Sequence, residues 1–195
     1  MNRYRLTTVL MFIATTLAAM GSCSPKSYPL NGDIPAELQA PIGKAKTAVD
    51  ALARRLLTRL TEAYEEYGPE GAVAVCSSEA QQMTQDIASE YGVEIGRTSH
   101  KLRNSANAPR TWIRPYTEAA TGRKAQDAEM LAFDLGDRVG LIKPIGVQGF
   151  CLSCHGAEID SSVRVTIRKS YPDDQATGFR EGDLRGYFWV ELKKN

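Results

Sequence analysis

Cysteine and histidine are scarce in this chain, with four and two copies in 195 residues, yet CLSCHG places Cys151, Cys154 and His155 within six positions. Cys-x-x-Cys-His is the attachment signature of c-type haem. Two thiols reach the two vinyl groups of the porphyrin, and the histidine that follows is placed to ligate iron. A redox Cys-x-x-Cys needs no adjacent histidine, and a zinc site usually draws on a second ligand pair at similar spacing, which this sequence lacks. One motif implies one covalently attached haem.

Haem is attached to such motifs outside the cytoplasm, so the N-terminus bears on the assignment. Arg3 and Arg5 precede an uncharged apolar run from Leu6 to Met20, and Gly21 and Ser22 follow. That is the pattern of an export signal, too short and Thr-rich for a comfortable membrane span. Cys23 after small residues resembles the lipidation point of a bacterial lipoprotein, with ordinary cleavage after Gly21 as the alternative. Residues 1–22 are therefore expected to be a signal peptide. Residues 23–43, with four prolines, are expected to be a flexible tether, and residues 44–195 the haem-binding domain. The expected location is the periplasmic side of a bacterial membrane, lipid-anchored, or else soluble in the periplasm.

Charge excludes one class of partner. The chain carries 24 basic and 23 acidic residues, so no strong field attracts nucleic acid. The expected partners are a membrane, through the lipid, and a redox or signalling protein.

Cysteine arithmetic then isolates Cys76. Cys23 belongs to the signal and Cys151 and Cys154 to haem, which leaves an exported protein with one unpaired thiol. The elements around it give it a setting. Val49, Leu52, Leu56, Leu60, Ala63 and Tyr67 recur at helical spacing up to Gly68-Pro69. Ala72, Cys76, Ala80, Met83 and Ile87 form the stripe of a second helix that ends at Gly92. Cys76 thus sits on a buried face with small residues four before and four after, room enough for a flat group or for tight helix packing.

The remaining elements are shorter. Strands are expected over 93–99, 130–135, 138–147 and 184–193, the middle two joined as a hairpin through Gly136-Asp137. A helix over 109–120 is expected to be disturbed at Pro115, and 161–171 reads as a short helix or an extended segment. Two long helices leading into an antiparallel sheet of about four strands make an α+β domain. For the second axial position the residues leave Cys76, His100, Met83 and Met130 open. Arg97, Arg103, Asn104 and Arg180 are candidates for holding the haem propionates.

Four blocks carry a family resemblance: AVAVCSSEAQQM, IGRTSHKLRNSANAPRTW, CLSCHG and YPDDQATGFREGDLRGYFWV. In order and spacing they resemble the single-haem c-type cytochrome family with a PAS-like fold, long catalogued as a domain of unknown function. That family occurs as stand-alone exported proteins and as the sensor part of some histidine kinases. RNSAN stands here where the family often has RNPAN. The resemblance implies a PAS-like α+β fold, and it places the equivalent of Cys76 as the iron ligand opposite His155, with His100 the second choice. For a small exported haem protein the expected role is electron transfer, the alternative being redox or gas sensing through a separate partner; with both axial positions filled no open site is left for catalysis.

Overall fold

A computed structural model describes residues 25–194. The export signal over 1–22 and the candidate lipidation site Cys23 lie outside the described residues.

The α+β class expected from the sequence is what the structure shows. Helix α1 (Ala36–Ser78) and helix α2 (Ala80–Tyr91) precede most of the sheet. Leu38, Ile42, Ala45, Val49 and Leu52 are buried along one side of α1, the three- and four-residue rhythm of a helix laid on a core. Gly68 breaks α1 with φ +68° and ψ −173°, and the helix resumes at Pro69. A backbone angle that only glycine adopts freely, followed by a ring suited to a first turn, produces the kink where the sequence predicts an ending. The second expected helix is also divided. Ala72 and Cys76 belong to the end of α1, Ala80, Met83 and Ile87 to α2, and Glu79 lies between them. The Arg59 guanidinium grips the Glu79 carboxylate with two hydrogen bonds of 2.8 and 3.0 Å, tying this break to the earlier part of α1. Gly92 closes α2 in the left-handed conformation, as its position predicts.

Five antiparallel strands follow the order β1-β3-β4-β5-β2. They are β1 (Lys26–Pro29), β2 (Glu94–Thr98), β3 (Leu131–Asp134), β4 (Arg138–Gly146) and β5 (Leu184–Lys193). Strand β1 and the opening turns of α1 correct the expected tether. Residues 26–29 pair with β3, and Leu38 and Ile42 are core residues. The prolines misled because Pro29 ends an edge strand and Pro35 caps a helix, two positions where a missing N–H costs nothing. The fifth strand comes from this segment.

Alternation sorts the sheet. Ile95, Ala132, Val139, Leu141, Val190 and Leu192 pack against α1 and α2. Phe133, Ile142 and Tyr187 face the other way, onto Ile113 and Trp112. There, helix α3 (Arg114–Glu118) is shorter than the helix expected over 109–120. Pro115 lies in its first turn, so it begins the helix instead of disturbing one. The one-turn α4 (Leu152–His155) carries the motif. The segment read as helical or extended is helix α5 (Ser161–Ser170), whose Val163 and Ile167 pack with Val73 and Cys154. Packing at this spacing outweighs the weak helix preference of β-branched residues. Among the described residues no helix is long and apolar enough to cross a membrane.

Candidate functional site

The motif is built locally. Residues Gly149–Cys151 form a 3₁₀ turn that runs straight into α4. One helical turn therefore separates Cys151 from Cys154 and His155, and all three line a cavity of about 500 Å³. That volume suits a cofactor. Gly156 must follow, because a Cβ there would lie 2.6 Å from the backbone oxygen of Leu152.

Hydrogen bonding decides the state of the histidine. His155 Nδ1 lies 2.7 Å from the carbonyl oxygen of Ala176. A carbonyl only accepts, so Nδ1 carries the proton and Nε2 keeps its lone pair. That is the tautomer of a metal-bound histidine steadied by an outer partner. Burial, with Arg185 and Arg103 nearby, holds its pKa well below the ordinary 6.5, so the ring is neutral as a ligand must be. The accepting carbonyl belongs to a loop zipped to the motif. The amide of Phe179 donates to the His155 carbonyl at 3.0 Å, and that of Gly178 to the Gly156 carbonyl at 2.9 Å.

Cys76 lines the same cavity from the last turns of α1 and makes no disulfide among the described residues. Burial pushes its thiol pKa up, while Arg97 and Arg103 pull the other way. Arg97 reaches this space from β2, where it pairs with Phe188 on the helix side of the sheet. Burial lowers its pKa as well, against the pull of Cys76 and Tyr171.

The cavity lining holds five basic side chains and no carboxylate. Three of the five are neutralised from behind: Arg59 by Glu79, Arg103 by Asp174 and Lys143 by Asp50. Among the described residues Arg97 and Arg185 have no carboxylate partner. Arg185 donates to Ser99 Oγ at 2.7 Å and to the Lys101 carbonyl at 3.0 Å, and its guanidinium lies over Phe179 at 5.1 Å. Two half-buried, desolvated cations without anions are costly unless a guest brings the charge. A dicarboxylate such as haem fits this wall. Among the described residues no group of three or more His, Cys, Asp or Glu side chains is close enough together to hold a metal ion.

Residues 36–192 match the family model described as Tll0287-like. The chain belongs to the Tll0287-like family. Among solved structures it is similar to a cyanobacterial heme-protein, Tll0287, at 25% identity with a TM-score of 0.62. That match covers 80% of this chain and 97% of the other. No curated protein matches by sequence.

Within this Tll0287-like chain the structure brings Cys151, Cys154, His155 and Cys76 to one cavity, together with Arg97, Arg103, Asn104 and Met83. It does not bring His100, Met130 or Arg180 there. His100 packs edge-on to Phe179 at 5.7 Å, and His155 meets the same ring at 6.3 Å, so the phenyl group stands in contact with both histidines. Met130 packs in the helix–sheet core. Arg180 is exposed, and its backbone N–H turns to Asp183. Asn104 lines the cavity, yet its side-chain oxygen accepts from the Ala106 amide and caps a turn.

Sequence reading missed Arg185 and the loop from Asp174 to Phe179. Arg185 had a signal in the alternation of β5, one position out of phase with the Val190 and Leu192 face. The glycine beside it, with φ +156°, and the irregular register at Ile145/Gly146 turn that end of the strand toward the cavity. A Cβ on Gly186 would come within 2.2 Å of the Thr98 carbonyl oxygen, so the approach depends on glycine.

Proposed function

We propose that the protein is an exported c-type haem protein that holds one haem covalently and carries electrons at a membrane surface. The observation that carries this reading is the convergence of Cys151, Cys154, His155 and Cys76 on one cavity whose charge excess suits a dianionic guest. The Tll0287-like family and the likeness to a heme-protein support it. In this reading Cys151 and Cys154 form the thioether links. His155 offers Nε2 to the iron, Cys76 offers sulfur, and Arg97 with Arg185 receives the propionates. Bound haem supplies a one-electron couple. The chain's residues would supply the rest: His155 and Cys76 as donor groups, apolar walls from Leu56, Leu60 and Phe188, and a neutral histidine. A thiolate ligand favours the ferric state and a low potential. Cys23 anchors the protein, and an unidentified redox protein exchanges electrons with it.

A second reading, redox or gas sensing through a separate protein, is favoured by the setting of Cys76. Burial raises its thiol pKa despite Arg97 and Arg103, so in this reading the protonated thiol would leave the metal and open a site for a small ligand.

The test is mass spectrometry of the protein made alongside haem-attachment machinery, followed by redox titration with and without carbon monoxide. The expected result is one added haem and a low-spin ferric spectrum. An unmodified mass, or stoichiometric zinc, would overturn the haem reading. Carbon monoxide binding on reduction selects the sensor over the carrier.

A further inference from the structure

We infer that Arg103 and Asp174 form a clamp that positions the His155 ring, acting through the backbone of the motif and of the loop beside it. The inference deepens the haem reading, on which only its consequence at iron depends. Arg103 Nε donates to Asp174 Oδ1 at 3.1 Å and Nη2 to Oδ2 at 3.3 Å. The same Nη2 donates to the carbonyl of Cys154, inside the motif, and lies 3.4 Å from the carbonyl oxygen of Ala176. Asp174 Oδ1 in turn accepts from the Ala176 amide at 2.9 Å. Ala176 thus has its amide held by Asp174 and its carbonyl aimed at His155 Nδ1. The amide of Gln175, donating 2.8 Å to the Leu102 carbonyl, fixes the loop to the segment that carries Arg103.

The chemistry of this group fits positioning better than bulk stabilisation. With side chains 13% and 7% exposed, Arg103 and Asp174 form the most buried ion pair among the described residues. Desolvation offsets much of the attraction in such a pair, so apolar replacements often hold a fold as well. What apolar side chains cannot do is reach two carbonyls and a carboxylate at once. The planar fork of arginine can, and lysine cannot reproduce it. The second nitrogen of a ligating histidine sets both the ring's orientation and its donor strength. Arg103 stands one bond beyond that second nitrogen, on the carbonyl it uses, and Asp174 holds the amide of the same residue.

A mere strut and a clamp predict different results. The full-length protein is prepared without haem and labelled with ¹⁵N-histidine, in wild-type form and as Asp174→Asn and Arg103→Lys. Wild type should show the His155 ring N–H as a slowly exchanging resonance, and both variants should lose that slow exchange while keeping their far-ultraviolet circular dichroism. Arg55→Lys, at the exposed pair with Asp86, should keep it. In haem-loaded protein both clamp variants should shift the reduction potential and lose part of the low-spin signal. Folded variants whose ring N–H still exchanges slowly would overturn the clamp. Unfolding of both variants would also overturn it, since the pair would then be a strut. If wild type takes up no haem, the haem reading fails, and the exchange measurement still decides the clamp.

Discussion

The two parts of the cavity wall that carry ligand-type residues are finished to different degrees. Around the motif the groups that orient the histidine have protein partners: His155 Nδ1 on Ala176, the Cys154 carbonyl on Arg103, and Arg103 on Asp174. Around Cys76 the protein leaves charge unanswered, with the Arg97 guanidinium making no ion pair or hydrogen bond among the described residues and burial holding the thiol pKa up despite the nearby cations. The motif region is organised before any guest arrives. The Cys76 region keeps a positive charge without an anion among the described residues. On the haem reading, this difference gives grip to the first and adjustable chemistry to the second.

The largest effect should come from breaking the motif region at its thiols. Replacing Cys151 and Cys154 together by alanine should abolish covalent haem, read as loss of the added mass, while the fold persists because both cysteines are only half-buried. Retained covalent haem in that variant would remove the attachment assignment.

Gly156→Ala tests the same region sterically. The added methyl meets the Leu152 backbone oxygen at 2.6 Å, and backbone cannot swing aside as a side chain can. The expected cost is about 1–3 kcal/mol, measured by denaturant unfolding, with haem incorporation falling in parallel.

Cys76→Ser should act on chemistry and hardly on stability. Loss of the thiolate signature from the ferric spectrum is expected, with a raised potential, and Cys76→Met should raise the potential further if methionine coordinates. An unchanged spectrum and potential would reduce Cys76 to a packing residue. His100 is then the histidine to replace next, although Phe179 keeps it away from the cavity in this structure.

Acid should distinguish the regions in the haem-free protein. The folded pKa of His155 lies well below its ordinary 6.5 because burial disfavours the imidazolium. The unfolded chain therefore takes up the proton first. This contribution to stability is fully present above about pH 6.5 and is lost as pH falls toward the folded pKa. His155→Gln should flatten that part of the stability profile.

The smallest effect should be at Arg97. Its charge is desolvated without an anion, so Arg97→Gln should leave haem-free protein as stable as wild type or slightly more so, and loosen haem-loaded protein. A clear loss of stability without haem would mean that Arg97 already has a partner.

Much of this site was legible without coordinates, for physical reasons that differ by residue. The closeness of Cys151, Cys154 and His155 is readable because they lie within one helical turn, a distance sequence spacing measures directly. Cys76 is half readable: helical phase puts it on the packed side, but Glu79 ends the helix three residues later and the stripe is not continuous. Proline content misled over residues 23–43, because the residue tolerated in a linker is also tolerated at a sheet edge and a helix start.

By itself, then, the sequence determined the α+β class, the motif, the stops at Gly68 and Gly92 and the odd thiol, all of which follow from local periodicity, backbone freedom and residue chemistry. Tertiary structure alone decided that Arg185 and not Arg180 faces the cavity, that His100 is held away from it, and that a loop more than twenty residues beyond His155 sets that ring's tautomer. Those outcomes depend on strand register, on a bulge and on which carbonyls remain unpaired once the sheet and helices have formed, and no short window of sequence encodes them.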